Sequence, residues 1–203
     1  MKTTLKWTMM VLSIMGLTTF TSCDNDDDKG PETPKLTEVN GSYSGKMTYA
    51  IATPEGKADA TPPTEDEAVD VNVKVANDTI TFDKFPADAL VTAIMGDAAP
   101  SIIEGLEDIS YKVGFKGAFN SANDSIALTM DPKPLAIKYT MGEGESAVTI
   151  TVDVAIEASE KGSYALKEKN LKFILKATEA KLNGQGQNML PGVITLSFDM
   201  AKK

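Results

Sequence analysis

Residues 69–82 read VDVNVKVANDTITF. Val69, Val71, Val73 and Val75 alternate with Asp70, Asn72 and Lys74, so a period of two puts every valine on one face. Ala76-Asn77-Asp78 supplies side chains that tolerate a tight turn, and Ile80 and Phe82 resume the alternation beyond it. The stretch predicts an antiparallel hairpin with one buried face and one wet face.

The same period runs outward in both directions. Upstream, Tyr43, Met47, Tyr49 and Ile51 share a face in GSYSGKMTYAIA, and Thr53 to Asp66 is a polar loop carrying Pro and Gly. Downstream comes a helical interlude. Pro86 suits a first turn, Leu90, Val91 and Ile94 form one stripe, and Gly96 is placed to end it. Pro100 restarts a second short helix with Ile102, Ile103 and Leu106 inward. Alternation then returns at Ile109 to Phe119, at Ile126, Leu128 and Met130, and at Leu135, Ile137, Tyr139 and Met141. After the Gly142–Ser146 turn it covers Val148 to Ile156. Tyr164 to Leu182 reads as strand, with Lys169-Asn170 as a turn, and Ile194, Leu196, Phe198 and Met200 close the chain. The fold class is mainly β: an antiparallel barrel, or a strongly curved sheet or sandwich, of about nine to ten strands with two short inserted helices.

The N-terminus is of another kind. Lys2 and Lys6 precede the uncharged apolar run Trp7 to Phe20, which is too short for a comfortable membrane span and follows the plan of a secretory leader. Phe20-Thr21-Ser22-Cys23 resembles the bacterial lipobox, which implies cleavage after residue 22 and acylation of Cys23. An ordinary cleaved leader with an incidental Cys is the alternative. Cys23 is the only cysteine, so no intrachain disulfide can form. Asp24-Asn25-Asp26-Asp27-Asp28 and the Pro-bearing residues after it cannot bury apolar surface and predict a solvated tether. The tract also resembles the acidic export signal of Bacteroidetes surface lipoproteins. Calcium binding is disfavoured, because Lys29 and Lys35 stand where an EF-hand loop needs Gly and Glu. The expected organisation is leader 1–22, acylated Cys and tether 23–37, and one β domain 38–203.

A polar tether followed by Gly41-Ser42-Tyr43-Ser44-Gly45-Lys46-Met47 at the start of an all-β domain resembles the calycin-like (lipocalin-like) lipoproteins of Bacteroidetes. The resemblance implies an up-and-down barrel with an interior cavity, on the outer membrane and exposed at the surface. It brings no functional residues. The inserted helices depart from a plain lipocalin, so an open curved sheet cradling them stays as the alternative.

Composition narrows function further. Loss of Lys2 and Lys6 leaves 18 lysines against 29 acids, a net charge of −11, with no Arg and no His anywhere. Nucleic-acid binding lacks its basic face. Nucleophilic catalysis on Ser-His or Cys-His cannot be assembled, nor can metal sites that depend on His or Cys. Catalysis by carboxylates alone stays open, but no pair stands out, so no catalytic, metal or cofactor residue is expected. Two readings of function remain. One is a binding module whose barrel holds a small apolar ligand or lipid, with Tyr43, Met47, Tyr49, Tyr111, Met130, Tyr139 and Met141 as candidate lining. The other is an accessory subunit that docks a cell-envelope protein by its sheet edge or helices.

One internal similarity remains. Ala76-Asn77-Asp78-Thr79-Ile80 and Ala122-Asn123-Asp124-Ser125-Ile126 predict two equivalent hairpin turns. Both also resemble the Asp-Ser/Thr-aliphatic signal for O-glycosylation of exported Bacteroidetes proteins, which makes Thr79 and Ser125 candidate acceptors.

Overall fold

The computed structural model describes residues 33–52, 68–141 and 147–203. The leader, Cys23, the expected tether as far as residue 32, the polar loop at 53–66 and the turn at 142–146 lie outside them, as does the side chain of Met141, whereas Leu36 and Thr37, expected in the tether, belong to a 3-10 turn. The chain divides into Met1–Thr33 and Pro34–Lys203, and the second unit carries the fold.

Ten strands form one antiparallel sheet. They are β1 (Gly41–Ala52), β2 (Val69–Ala76), β3 (Thr79–Phe82), β4 (Tyr111–Phe119), β5 (Ser125–Pro132), β6 (Leu135–Met141), β7 (Val148–Glu157), β8 (Gly162–Ala165), β9 (Asn170–Leu182) and β10 (Val193–Lys202). β10, β1, β2, β3, β4, β5, β8 and β9 are neighbours in that order, and the pairing of β9 with β10 closes them into an eight-stranded barrel. Barrel neighbours follow chain order, so the topology is up-and-down. The β6–β7 hairpin is inserted between β5 and β8 and extends the sheet from β9, which settles the barrel against the open sheet.

The hairpin at residues 69–82 forms as its alternation requires. Val71, Val73, Val75, Ile80 and Phe82 are all buried. Asn77 and Asp78 both have positive φ, 51° and 54°, the geometry of a type I′ turn. The second turn is built differently. Only Asn123 is left-handed there, and Asn120 Oδ1 accepts from the backbone N–H of Asp124 and of Ser125 at 3.1 and 3.3 Å. The expected equivalence therefore fails: the similar pentapeptides sit in loops of different length, because β4 ends earlier relative to its Asn-Asp pair. A smaller correction concerns Lys169-Asn170. The turn occupies residues 166–169, and Asn170 opens β9.

β9 alternates through Leu171, Phe173, Leu175 and Ala177, all buried. Its register to β7 then shifts: Ala155 faces Glu179 but Ile156 faces Ala177, leaving Thr178 as an extra residue. A bulge of this kind bends a strand and strengthens its twist. It lies where β9 exchanges β8 for β7 as its neighbour.

Both barrel ends are covered. The turns at 77–78, 120–124 and 166–169 mark the upper end. There a short 3-10 turn, Leu36–Val39, buries Val39, and Lys202 Nζ donates to Glu38 O at 2.7 Å. At the lower end β3 leads into α1 (Asp88–Met95) and α2 (Ala99–Glu104). Gly96, with φ 53°, ends α1 as expected, while Pro86 precedes its first turn. Phe85, Leu90, Val91 and Ala99 of this region join the barrel core.

Candidate functional site

The candidate cavity residues do not enclose a common space. Tyr43, Met47, Tyr111 and Met130 are between 0% and 8% exposed and pack into the core. The Tyr43 hydroxyl donates to Val39 O, its ring meets Tyr164 edge-on at 6.2 Å, and burial pushes its phenol pKa up. The Tyr111 hydroxyl donates to Lys133 O at 2.5 Å, and burial raises its phenol too. Phe82 stands at the centre of an aromatic cluster with Phe85, Tyr111, Phe173 and Phe198, and the last two stack at 4.5 Å. An eight-stranded barrel has room for its own side chains or for one small ligand, and here aromatic side chains fill the interior. The cavity that the calycin resemblance implies is thus occupied by core packing among the described residues. Tyr49 and Tyr139 are half-buried and packed against the core.

Open space lies on the outer surface. A cleft of about 420 Å³ separates the lower half of β2 from residues 83–88, because β3 is too short to cover Asp70 and Asn72. Lys74, Asp83, Lys84, Asp88 and Lys203 rim it over a floor of Tyr43, Val73 and Phe85. A second groove, about 400 Å³, crosses the outer faces of β1, β9 and β10. In it the Lys172 ammonium, 2.7 Å away, and Asn170 hold the Asp199 carboxyl below its usual range. The described residues contain no cluster of three His, Cys, Asp or Glu able to hold a metal.

The third feature is the end of the sheet itself. Among the described residues, β6 has a neighbour only on its β7 side. The bonding of β7 shows which backbone groups β6 leaves unused. Asn183 N–H donates to Thr151 O at 2.7 Å, and Thr151 N–H donates to Asn183 Oδ1 at 3.2 Å. Thr151 thus directs both its groups away from β6, which makes its pair with Lys138 a non-hydrogen-bonded one. By alternation Ala136, Lys138 and Thr140 point their N–H and C=O groups to the free edge. Their side chains share the outer, exposed face.

Beneath the inner face of β6 lies a narrow slot lined by Val91, Ile94, Met95, Ile102, Ile137, Tyr139 and Val152, every one apolar or aromatic. Its volume, about 10 Å³, is too small for a ligand molecule but marks an incomplete seam between helices and hairpin. Val148, near the hairpin tip, is 59% exposed. Lys138, like Lys74, Lys112 and Lys116, has no carboxylate within ion-pair distance among the described residues. The sequence carries a signal for this edge. Pro134 directly precedes β6, and a lysine stands in its middle, as is usual for strands at sheet edges.

Thr79 and Ser125 are half-exposed at the upper end, each in the first position of its strand. Thr79 Oγ1 donates to Asn77 O at 3.2 Å.

These features define an eight-stranded up-and-down barrel with a packed interior and a hairpin extension that leaves one strand edge free. A family model described as a domain of unknown function, DUF4840, matches residues 38–182, and the chain belongs to that family. The match ends with β9, short of the strand that closes the barrel. No curated protein and no solved structure matches the chain.

Proposed function

We propose that the protein is a non-enzymatic interaction module, anchored at the outer membrane by acylated Cys23 and exposed on the cell surface, that docks an envelope protein at its β6–β7 end. The carrying observation is the coincidence of a free strand edge with an all-apolar seam and an exposed valine. Added strands gain main-chain hydrogen bonds along such an edge, and side-chain pockets beside it confer choice of partner. The lipobox-like tetrad Phe20-Thr21-Ser22-Cys23 supports the anchor, and the acidic tract after it supports the location. A small apolar ligand in the barrel has less support, since Tyr43, Met47, Tyr111 and Met130 pack against one another.

The test places a photo-reactive residue at Thr140, at Val148, and at Thr48 on the far wall, in cells expressing the full chain. The expected result is one adduct of the same mass from the first two positions and none from Thr48. Equal yields from all three, or none from any, would remove the reading.

A further inference from the structure

We infer that the β6 edge accepts an extended strand of apolar–acidic–apolar pattern, its carboxylate facing Lys138. The inference rests on the docking reading above and specifies the partner's chemistry.

The backbone sets the register. Lys138 directs both its N–H and its C=O outward, so a guest strand in antiparallel pairing sets one residue directly opposite it, in a hydrogen-bonded pair. Side chains of directly opposed residues lie on the same face, here the solvated one bearing Ala136, Lys138 and Thr140. The guest's flanking residues then turn inward beside Ile137 and Tyr139, over the seam formed with Ile94, Met95 and Ile102. Apolar side chains are favoured there, because the Tyr139 hydroxyl is the one group of that lining able to bond a polar one.

Charge decides what faces Lys138. Its cross-strand neighbour on β7 is Thr151, and the diagonal Asp153 lies beyond ion-pair distance. An opposing carboxylate is favourable and an opposing lysine is not. This argues against a second copy of the chain. The two-fold arrangement with full overlap of β6 sets Lys138 against Lys138, and shifting it one way brings in Pro134, which has no N–H to give.

The experiment titrates the full chain, isotopically labelled, with the peptides VTIEITV and VTIKITV, each able to cover the seven residues of β6. The amides of Ala136, Lys138 and Thr140 should shift with the first peptide, and the second should bind about fivefold more weakly. Lys138→Glu should reverse that order. Thr140→Pro removes an N–H that β7 does not use, so the fold should survive while binding of both peptides is lost. Equal affinity for the two peptides, at β6, would overturn the acidic partner while leaving the docking reading intact. Shifts confined to the cleft beside β2, or a dimer formed through β6 with no peptide binding, would also overturn it. Absence of both peptide binding and the cross-links from Thr140 and Val148 would remove proposal and reading together.

Discussion

Gly45 shows how much one residue position constrains this barrel. A Cβ built there meets Asp199 O at 2.1 Å and Met200 Cα at 2.6 Å, backbone atoms of the neighbouring strand. Neither can yield without moving β10, so β1 and β10 pack as closely as they do only because the side chain is missing. Gly114 is a useful contrast, since its nearest neighbour would be Asp131 O at an ordinary 3.7 Å. Gly45→Ala should cost about 3 kcal/mol in urea unfolding, as overpacking does, with Gly114→Ala close to neutral. Equal losses would show that the close approach is not what selects glycine at 45. The SYSG context in which Gly45 sits was legible as a strand start, but no sequence pattern showed that β10 lies against it. That contact joins residues far apart in the chain.

At the scale of elements, alternation located the strands well, because one buried face imposes a period of two wherever a strand lies. It could not distinguish the two Asn-Asp turns, whose geometry depends on where the flanking strands stop pairing. The difference matters for the proposed glycans. Thr79 follows a two-residue type I′ turn, whereas Ser125 follows a longer loop braced by Asn120, whose Nδ2 donates to Asp124 Oδ1 at 2.6 Å. A transferase reading the Asp-Ser/Thr-aliphatic tripeptide should modify both sites on the exported protein. The native mass should therefore exceed that of the acylated chain, and Thr79→Ala with Ser125→Ala should abolish the excess. Asp124→Asn should remove the Ser125 glycan while keeping a side chain that can still accept from Asn120. A native mass equal to the bare acylated polypeptide would leave only two unlike turns.

At the scale of the molecule, chain entry and the β6–β7 hairpin lie at opposite ends of the domain. Pro34 enters at the upper end, where the 3-10 turn Leu36–Val39 covers the barrel. β9, thirteen residues long, runs from that end past the lower one, and its last residues carry β7, so the β6–β7 tip projects away from the entry point. Cys23→Ser should shift the protein from the membrane to the soluble fraction with an unchanged melting temperature, since the fold lies within Pro34–Lys203. Retention on the membrane would refute acylation, and a lower melting temperature would show that the anchor supports the domain. What the sequence alone determined was the local and compositional part: strands with one apolar face, helices placed between β3 and β4, and a chain without His or Arg. Those follow from periodicity and side-chain chemistry, which act over a few residues. Only the tertiary structure decided that β9 meets β10 to close the barrel, that aromatic rings fill its interior, and that β6, paired with β7 on one side, has no other neighbour among the described residues. Each depends on which distant segments pair, and an alternating strand carries the same pattern at the edge of a sheet as in its middle.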